Sequence, residues 1–270
     1  MSSMKDLVLG GDGLIGASLV RSLRAAGNDA HSLDLRSGCD LRSSLPVPLT
    51  DYDRVWFLAW DTGGAKYIES AQEQHQIYSN NCAICLRVFD ALARAKRPFL
   101  FASSQLAGQP NAYGLTKLLA ETWTRQLGGV VARMWNVYGW ESPGIRSHVV
   151  TDLVLSALQG GEIRLRTTGK ERRRLLYKQD CAEALILLFG GGLVEGDIAG
   201  PEWLTVLDLA REIAALLDVP VHPGSGTAQE VMIDPGEPPP GWRPRTPLRE
   251  GLQQVIEEAR AFLTREGAGR

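Results

Sequence analysis

Residues 5–16 read KDLVLGGDGLIG, a short apolar run that breaks into glycines at 10, 11, 13 and 16. The run is strand-sized, and LIGASLVRSLRAAG (14–27) carries apolar residues at helical spacing. A strand that becomes a helix through Gly10, Gly13 and Gly16 has the shape of a dinucleotide-phosphate loop. The first glycine permits a tight turn, the second lets a pyrophosphate approach the backbone, and the third lets the helix pack on the sheet. The helix N-terminus then offers unpaired N–H groups to the phosphates. A second strand, AHSLDL (30–35), places Asp34 roughly 20 residues beyond the loop. A carboxylate there accepts hydrogen bonds from the adenosine ribose and repels a 2′-phosphate, which favours NAD over NADP. Arg36, two residues on, softens that preference.

The alternation continues along the chain. RVWFLAW (54–60), RPFLFASS (97–104) and GVVARMW (129–135) are apolar strand candidates, with helix-like stretches at 76–95 and 112–127 between them. Strands alternating with helices predict a parallel sheet covered on both faces. Ligands of such sheets gather beyond the strand C-termini, so Ser103 and Ser104, which end one strand, share an edge with the glycine loop. Tyr113 and Lys117 follow on a helix, four residues apart and therefore on one face. An ammonium near a phenol lowers a pKa that starts near ~10. The pair is thus predicted to act as a proton-transfer group at neutral pH.

Composition excludes several classes. With 22% charged residues and a formal net charge of -2, nothing points to nucleic acid or to an anionic membrane. The apolar runs fall short of the roughly 20 residues that span a bilayer. The N-terminal MSSMKDLVLGG lacks a cleavage site of small residues and does not read as a signal peptide. Four cysteines, at 39, 82, 85 and 181, give no disulfide framework, which predicts a reducing, cytoplasmic setting. Cys82 and Cys85 form C-x-x-C inside a helix-period segment with no second ligand pair, so they read as packing and no metal is predicted.

Taken in order, these motifs resemble the extended short-chain dehydrogenase/reductases that act on nucleotide sugars, over nearly the whole chain. The matching segments are G-x-x-G-x-x-G at 10–16, Asp34, Asp40 in CDLR, FLAW at 57–60, NNCAICLRVFDA around Asn81, the serine pair and YGLTK. RMWNVYG (133–139), GKERRRLLYKQDCAEAL with Arg173 and Asp180, and GWRPRTPLREGLQQVI complete the likeness. The resemblance implies an α/β fold: a Rossmann-like doubly wound parallel sheet over 1–143, with a returning segment near 175–195, that holds NAD. A smaller C-terminal α/β lobe within 144–270, interleaved with it, is implied to take the nucleotide sugar. Implied cofactor contacts are Gly10, Gly13, Leu14, Ile15, Gly16, Asp34, Arg36, Asp40, Leu41, Leu58, Ala59, Trp60 and Asn81, with Tyr113 and Lys117 at the nicotinamide end. Implied catalytic groups are Tyr113, Lys117 and one of Ser103 and Ser104; implied substrate contacts are Asn136, His148 and Arg173.

The activity so implied is epimerisation by transient hydride abstraction at a sugar hydroxyl carbon. A ketoreductase or dehydrogenase of the same fold is the alternative, and a non-catalytic NAD-binding sensor or scaffold the alternative from another class. The resemblance also implies a homodimer through a four-helix bundle of helices 76–95 and 112–127, whose Val88, Phe89, Leu118, Leu119 and Trp123 exceed one apolar stripe. Three departures stand out. The segment between the serines and Tyr113 is short, and the C-terminal lobe is compact. Gln105 and Leu106 replace the Asp-Glu of the family's dehydratases, which disfavours dehydration. His148 lies where GDP-fucose synthase has an acid/base histidine, yet that enzyme's partner cysteine is replaced by Gln105, so a substrate contact is the expectation.

Overall fold

A computed structural model describes residues 3–228 and 233–268. Its chain divides into two compact units, one running to Met134 and taking back Lys178–Ile198 and Pro235–Trp242. The other comprises Trp135–Tyr177, Ala199–Asp234 and the chain from Arg243 onward.

The first unit alternates as β1 (Lys5–Leu9), α1 (Leu14–Ala25), β2 (Asp29–Leu33), β3 (Arg54–Phe57), α2 (Gln74–Ala95), β4 (Phe99–Ser104), α3 (Ala112–Gln126), β5 (Val130–Met134), α4 (Lys178–Gly190) and β6 (Glu195–Ile198). The six strands are all parallel, in the order β6-β5-β4-β3-β1-β2. The chain runs outward from β1 to β2, then returns past β1 to β3. That reversal opens a crevice between β1 and β3 at the strand C-termini, where ligands of such sheets bind. Leu9 is in register with Leu33 on one side and Phe57 on the other, so the loops after all three strands leave from the same edge.

One sheet face packs Leu7, Leu9, Val55, Phe57, Phe99 and Phe101 against Ile84, Val88, Phe89 and Leu92 of α2 and Ala120 of α3. Phe57, Phe89 and Phe101 meet with ring centroids 5.3–6.2 Å apart. Each such fully buried side chain contributes about 1.5–3 kcal/mol. On the other face Trp56 meets Phe189 of α4 edge-on at 4.7 Å. The buried Asp6 carboxylate is satisfied there by a fork from Arg54 (2.8 and 2.9 Å) and by Trp56 Nε1 (2.9 Å).

Three expectations change. The apolar run 54–60 is ladder only to Phe57; Leu58 N still donates to Leu9 O at 2.9 Å, and Leu58–Trp60 then peel away as a loop. Strand β6 is a pairing the run EGDI does not announce. Val88 and Phe89 lie fully in the core, and Trp123 stacks on Phe89 at 5.0 Å, so these three are not a spare apolar face. The exposed apolar residues of α2 and α3 are Tyr78, Leu86, Leu115, Leu118 and Leu119.

The second unit packs helices Val149–Gly160, Val206–Leu217 and Leu248–Ala268 around Val150, Leu153, Val154, Leu209, Ile213, Leu252 and Val255. Its strands are short pairs: Val137–Tyr138 with Leu176–Tyr177, Ile163–Arg164 with Val221–His222, and Arg172–Arg173 with Leu204–Thr205. No helix among the described residues is long and apolar enough to cross a membrane.

Candidate active site

The glycine loop joins β1 to α1 at the crevice. Gly10 has φ +88°, and a Cβ there would meet Ala59 N at 2.6 Å; a Cβ on Gly16 would meet Gly10 O at 2.1 Å. Protein packing alone therefore demands these two glycines. Gly13 is different: a Cβ there would meet nothing nearer than Gly10 O at 3.3 Å. It is the N-cap of α1, with no capping side chain, so the first-turn amides at Leu14 and Ile15 are left to a ligand.

Asp34 follows β2 and is largely buried, its carboxylate accepting from Asp12 N (3.1 Å) and Arg36 N (2.8 Å). Each oxygen keeps acceptor capacity for a ribose hydroxyl. Arg36 is exposed and donates to Asp12 O at 2.6 Å, on the carbonyl of the glycine loop itself. An uncapped helix start, a glycine whose side is open and an acidic acceptor after β2 fit NAD.

Of the other predicted cofactor contacts, Asp40 is partly exposed whereas Leu41 and Asn81 are buried. Asp40 is gripped by Arg42, whose Nε and terminal amine each lie 2.8 Å from a carboxylate oxygen, and that guanidinium holds its carboxyl below the usual range. Leu41 belongs to the core. Asn81 is fully buried: its amide accepts from Asp61 N (2.8 Å), and donates to Asp61 O (3.2 Å) and to Thr116 Oγ1 (3.4 Å). It staples the loop after β3 to α2 and α3.

That loop, Leu58–Gly64, carries residues that motif spacing misses. Asp61 is buried, and its carboxylate accepts from Tyr67 O–H (2.9 Å) and from Asn80 Nδ2 (2.6 Å). Thr62, its exposed neighbour, reaches the Tyr113 phenol with its hydroxyl. Only the two glycines after Thr62 hint that the loop is special.

Asn111 caps α3, accepting from Gly114 N at 2.8 Å, and Tyr113 and Lys117 then fall on one buried face. The two serines differ in their surroundings. Ser104 reaches the Tyr113 phenol, whereas Ser103, fully buried, donates to Glu121 Oε1 at 2.6 Å. Lys117 turns inward: Nζ donates to Ala102 O at 2.6 Å and lies 4.2 and 4.7 Å from the ring centroids of Trp60 and Phe101. Burial pushes its ammonium down to about 7. Burial likewise pushes the Tyr113 phenol up, while the Ser104 and Thr62 hydroxyls pull it back. The predicted lowering of the phenol by Lys117 is therefore not what the structure shows, because desolvation dominates and the ammonium faces Ala102 O.

In the second unit, Asn136 has φ 40° and accepts from Arg174 N at 3.3 Å. His148 Nδ1 lies 2.8 Å from Glu141 Oε1, which leaves Nε2 pointing away from that carboxylate. Arg173 donates to Arg172 O at 2.8 Å, while Arg174 is spent on the carbonyls of Gly200 and Pro201 at 2.9 and 2.7 Å. Among the described residues no cluster of His, Cys, Asp or Glu could hold a metal ion.

Known proteins resemble this chain in sequence and in fold. The chain is similar to dTDP-4-dehydro-6-deoxy-D-allose reductase of Streptomyces bikiniensis, 26% identical over 286 aligned positions covering 86% of this chain and 84% of the relative. It is also similar to UDP-glucuronic acid decarboxylase 1 of Danio rerio, 28% identical over 137 residues, 47% of this chain and only 32% of that protein's length. In fold it matches the Bordetella bronchiseptica enzyme WbmF in complex with NADH, with TM-score 0.80, 21% identity and coverage of 97% and 94%. It also matches a UDP-N-acetylglucosamine 4-epimerase from Methanobrevibacter ruminantium in complex with UDP-N-acetylmuramic acid, with TM-score 0.81, 19% identity and coverage of 96% and 100%. The description "NAD dependent epimerase/dehydratase family" matches residues 7–192, more than half of the chain, and the chain belongs to that family.

Proposed function

We propose that the chain is an NAD-dependent nucleotide-sugar epimerase, working by transient oxidation of one sugar hydroxyl carbon. The observation that carries this reading is the Tyr113 phenol, met by Ser104 on the edge that also carries the glycine loop and Asp34. Bound NAD supplies a reversible hydride acceptor. The chain's own part is to move a proton: the Tyr113 oxygen exchanges it with the sugar hydroxyl, and Ser104 hydrogen-bonds the same oxygen. Lys117 holds Ala102 O, and with it the strand end on which Ser104 stands. Asn136, His148 and Arg173 are the proposed contacts to the nucleotide sugar, with the Arg173 guanidinium suited to a diphosphate. Four free thiols are compatible with a cytoplasmic setting.

A reductase is the second reading, favoured by the likeness that covers 84% of the Streptomyces reductase. One experiment separates the two. The protein is incubated with a panel of UDP-, GDP- and dTDP-sugars, and both product configuration and cofactor redox state are followed. A C-epimer formed with NAD unchanged supports epimerisation. Stoichiometric NADH, its consumption, or release of CO2 overturns it.

A homodimer is proposed with the same site. Leu86 of α2 is 62% exposed, and Leu115, Leu118 and Leu119 of α3 are 42–47% exposed, so adjacent helices present one apolar face. Pairing that face across a two-fold axis buries it. Light scattering at micromolar concentration is expected to give twice the chain mass; a monomer mass refutes the dimer.

A further inference from the structure

Gln74 opens α2, and its amide joins three segments of the chain. Oε1 accepts from Ala112 N at 2.7 Å, while Nε2 donates to Ile68 O and to Ser70 O, both at 2.9 Å. Both amide hydrogens are thereby spent. Ala112 is the first residue of α3, and the opening N–H groups of a helix have no partner within it. Tyr113 comes next and lies between two pinned amides, since Asn111 Oδ1 accepts from Gly114 N at 2.8 Å. Asn111 caps its own helix, whereas Gln74 reaches α3 from thirty-eight positions away. The same Gln74 amide holds the end of a short helix, Ala65–Ile68. Tyr67 and Ile68 of that helix pack with Ile77, Ala112 and Tyr113 in one buried cluster. The Tyr67 hydroxyl is in turn anchored on the buried Asp61 carboxylate at 2.9 Å. One side chain therefore ties the turn that carries the phenol to the residues that pack beside it.

We propose that Gln74 is a positioning residue for Tyr113, an amide stitch that sets where the phenol points. The inference rests on the proton-transfer role proposed for Tyr113. A helix is least constrained in its first turn, and that is where Tyr113 stands. The phenol oxygen is at the far end of a long, rigid side chain, so a small rotation of that turn displaces the oxygen more than the backbone. A displacement of about 1 Å at a reacting group can cost roughly 10²-fold in rate. The three bonds of Gln74 go to Ala112, Ile68 and Ser70, none of which is a proposed cofactor contact, so NAD affinity should not depend on them. The bond to Ala112 is the one that acts on Tyr113 directly, and it needs only an acceptor at position 74.

The stitch is testable without substrate. The full chain is labelled with ring-fluorinated tyrosine, and its fluorine NMR spectrum is recorded with and without NAD. Six tyrosines give six lines, and Tyr113→Phe identifies one of them. Gln74→Met keeps the side-chain length and deletes all three bonds. It should shift or broaden the Tyr113 line while those of Tyr52, Tyr138 and Tyr177 stay in place. Gln74→Asn, which withdraws the same amide by one methylene, should do the same. Gln74→Glu keeps an acceptor for Ala112 N and loses both donors, so it should return the Tyr113 line to its wild-type position. On any sugar of the panel that turns over, Gln74→Met should lower kcat about tenfold to 10²-fold, with KM and NAD affinity unchanged. A Tyr113 line that ignores Gln74→Met and Gln74→Asn overturns the stitch, as does failure of Gln74→Glu to restore it. A shift of all six lines with a fallen unfolding midpoint also overturns it, because the role is then merely structural. If the proton-transfer role itself is wrong, Tyr113→Phe will turn over normally while the Tyr113 line still answers to Gln74, so the two failures are distinguishable.

Discussion

Replacing Tyr113 by Phe is expected to lower turnover roughly 10²–10⁴-fold, the contribution of a positioned proton-transfer group. The substitution removes one oxygen and keeps a ring that packs among Tyr67, Ile68, Ile77 and Ala112. The two hydroxyls that reach the phenol are not stranded by its loss, since Ser104 keeps Leu106 N and Thr62 keeps water. Stability and NAD affinity should therefore stay near wild type while kcat collapses. The check is kcat on the sugar panel alongside an NAD binding titration. A Tyr113→Phe protein as active as wild type would end the catalytic reading and leave the fold as a cofactor-binding sensor. The serines should divide in the same assay. Ser104→Ala removes a hydroxyl at the phenol and should cost activity with stability intact. Ser103→Ala strands part of a buried carboxylate and should cost stability first.

How far these roles can be read from sequence depends on whether they are local. Gly10, Gly13 and Gly16 are legible because the strand before them and the helix after them fix what each must do. Tyr113 and Lys117 are legible as one helix face for the same reason. The direction of Lys117 is not, because it is set by Ala102 on a neighbouring strand and by Trp60 and Phe101, whose closeness exists only after folding. Asp61 and Thr62 belong to no motif; they matter through Tyr67, Asn80 and Tyr113, up to fifty-one positions away. Strand β6 escapes because four residues reading EGDI carry no apolar run, and only pairing with Val131–Met134 makes them a strand. Counting residues also fails to separate Ser103 from Ser104, since the pleat sends adjacent side chains to opposite faces. The structure places Ser103 against α3's carboxylate.

That carboxylate gives the second large effect. Tyr113, Lys117 and Glu121 succeed one another at four-residue steps on α3, so one helix face carries phenol, ammonium and carboxylate. Glu121 is 2% exposed and accepts from Ser103 Oγ (2.6 Å), from an Arg133 fork (2.8 and 2.7 Å) and from Arg125 (3.0 Å). Burial alone would raise its carboxyl, but the Arg133 fork and the Ser103 hydroxyl together hold it below its ordinary value of 4.5. A carboxylate depressed in the fold contributes stability that is fully present above 4.5 and is lost as pH falls through the folded value. Breaking a buried pair from one side costs about 3–5 kcal/mol. Glu121→Leu should fall at the low end of that range, because Arg133 still has Glu195 at 3.6 Å and Asp197 at 3.8 Å. Denaturant unfolding should show a lower midpoint with an unchanged slope. Glu121→Gln, which keeps a partner for Ser103 but not the charge, should lose less and should flatten the acid limb of the stability curve. A Glu121→Leu protein within about 1 kcal/mol of wild type, the worth of an exposed pair, would show that β4, and with it Ser104, is held in place by packing alone.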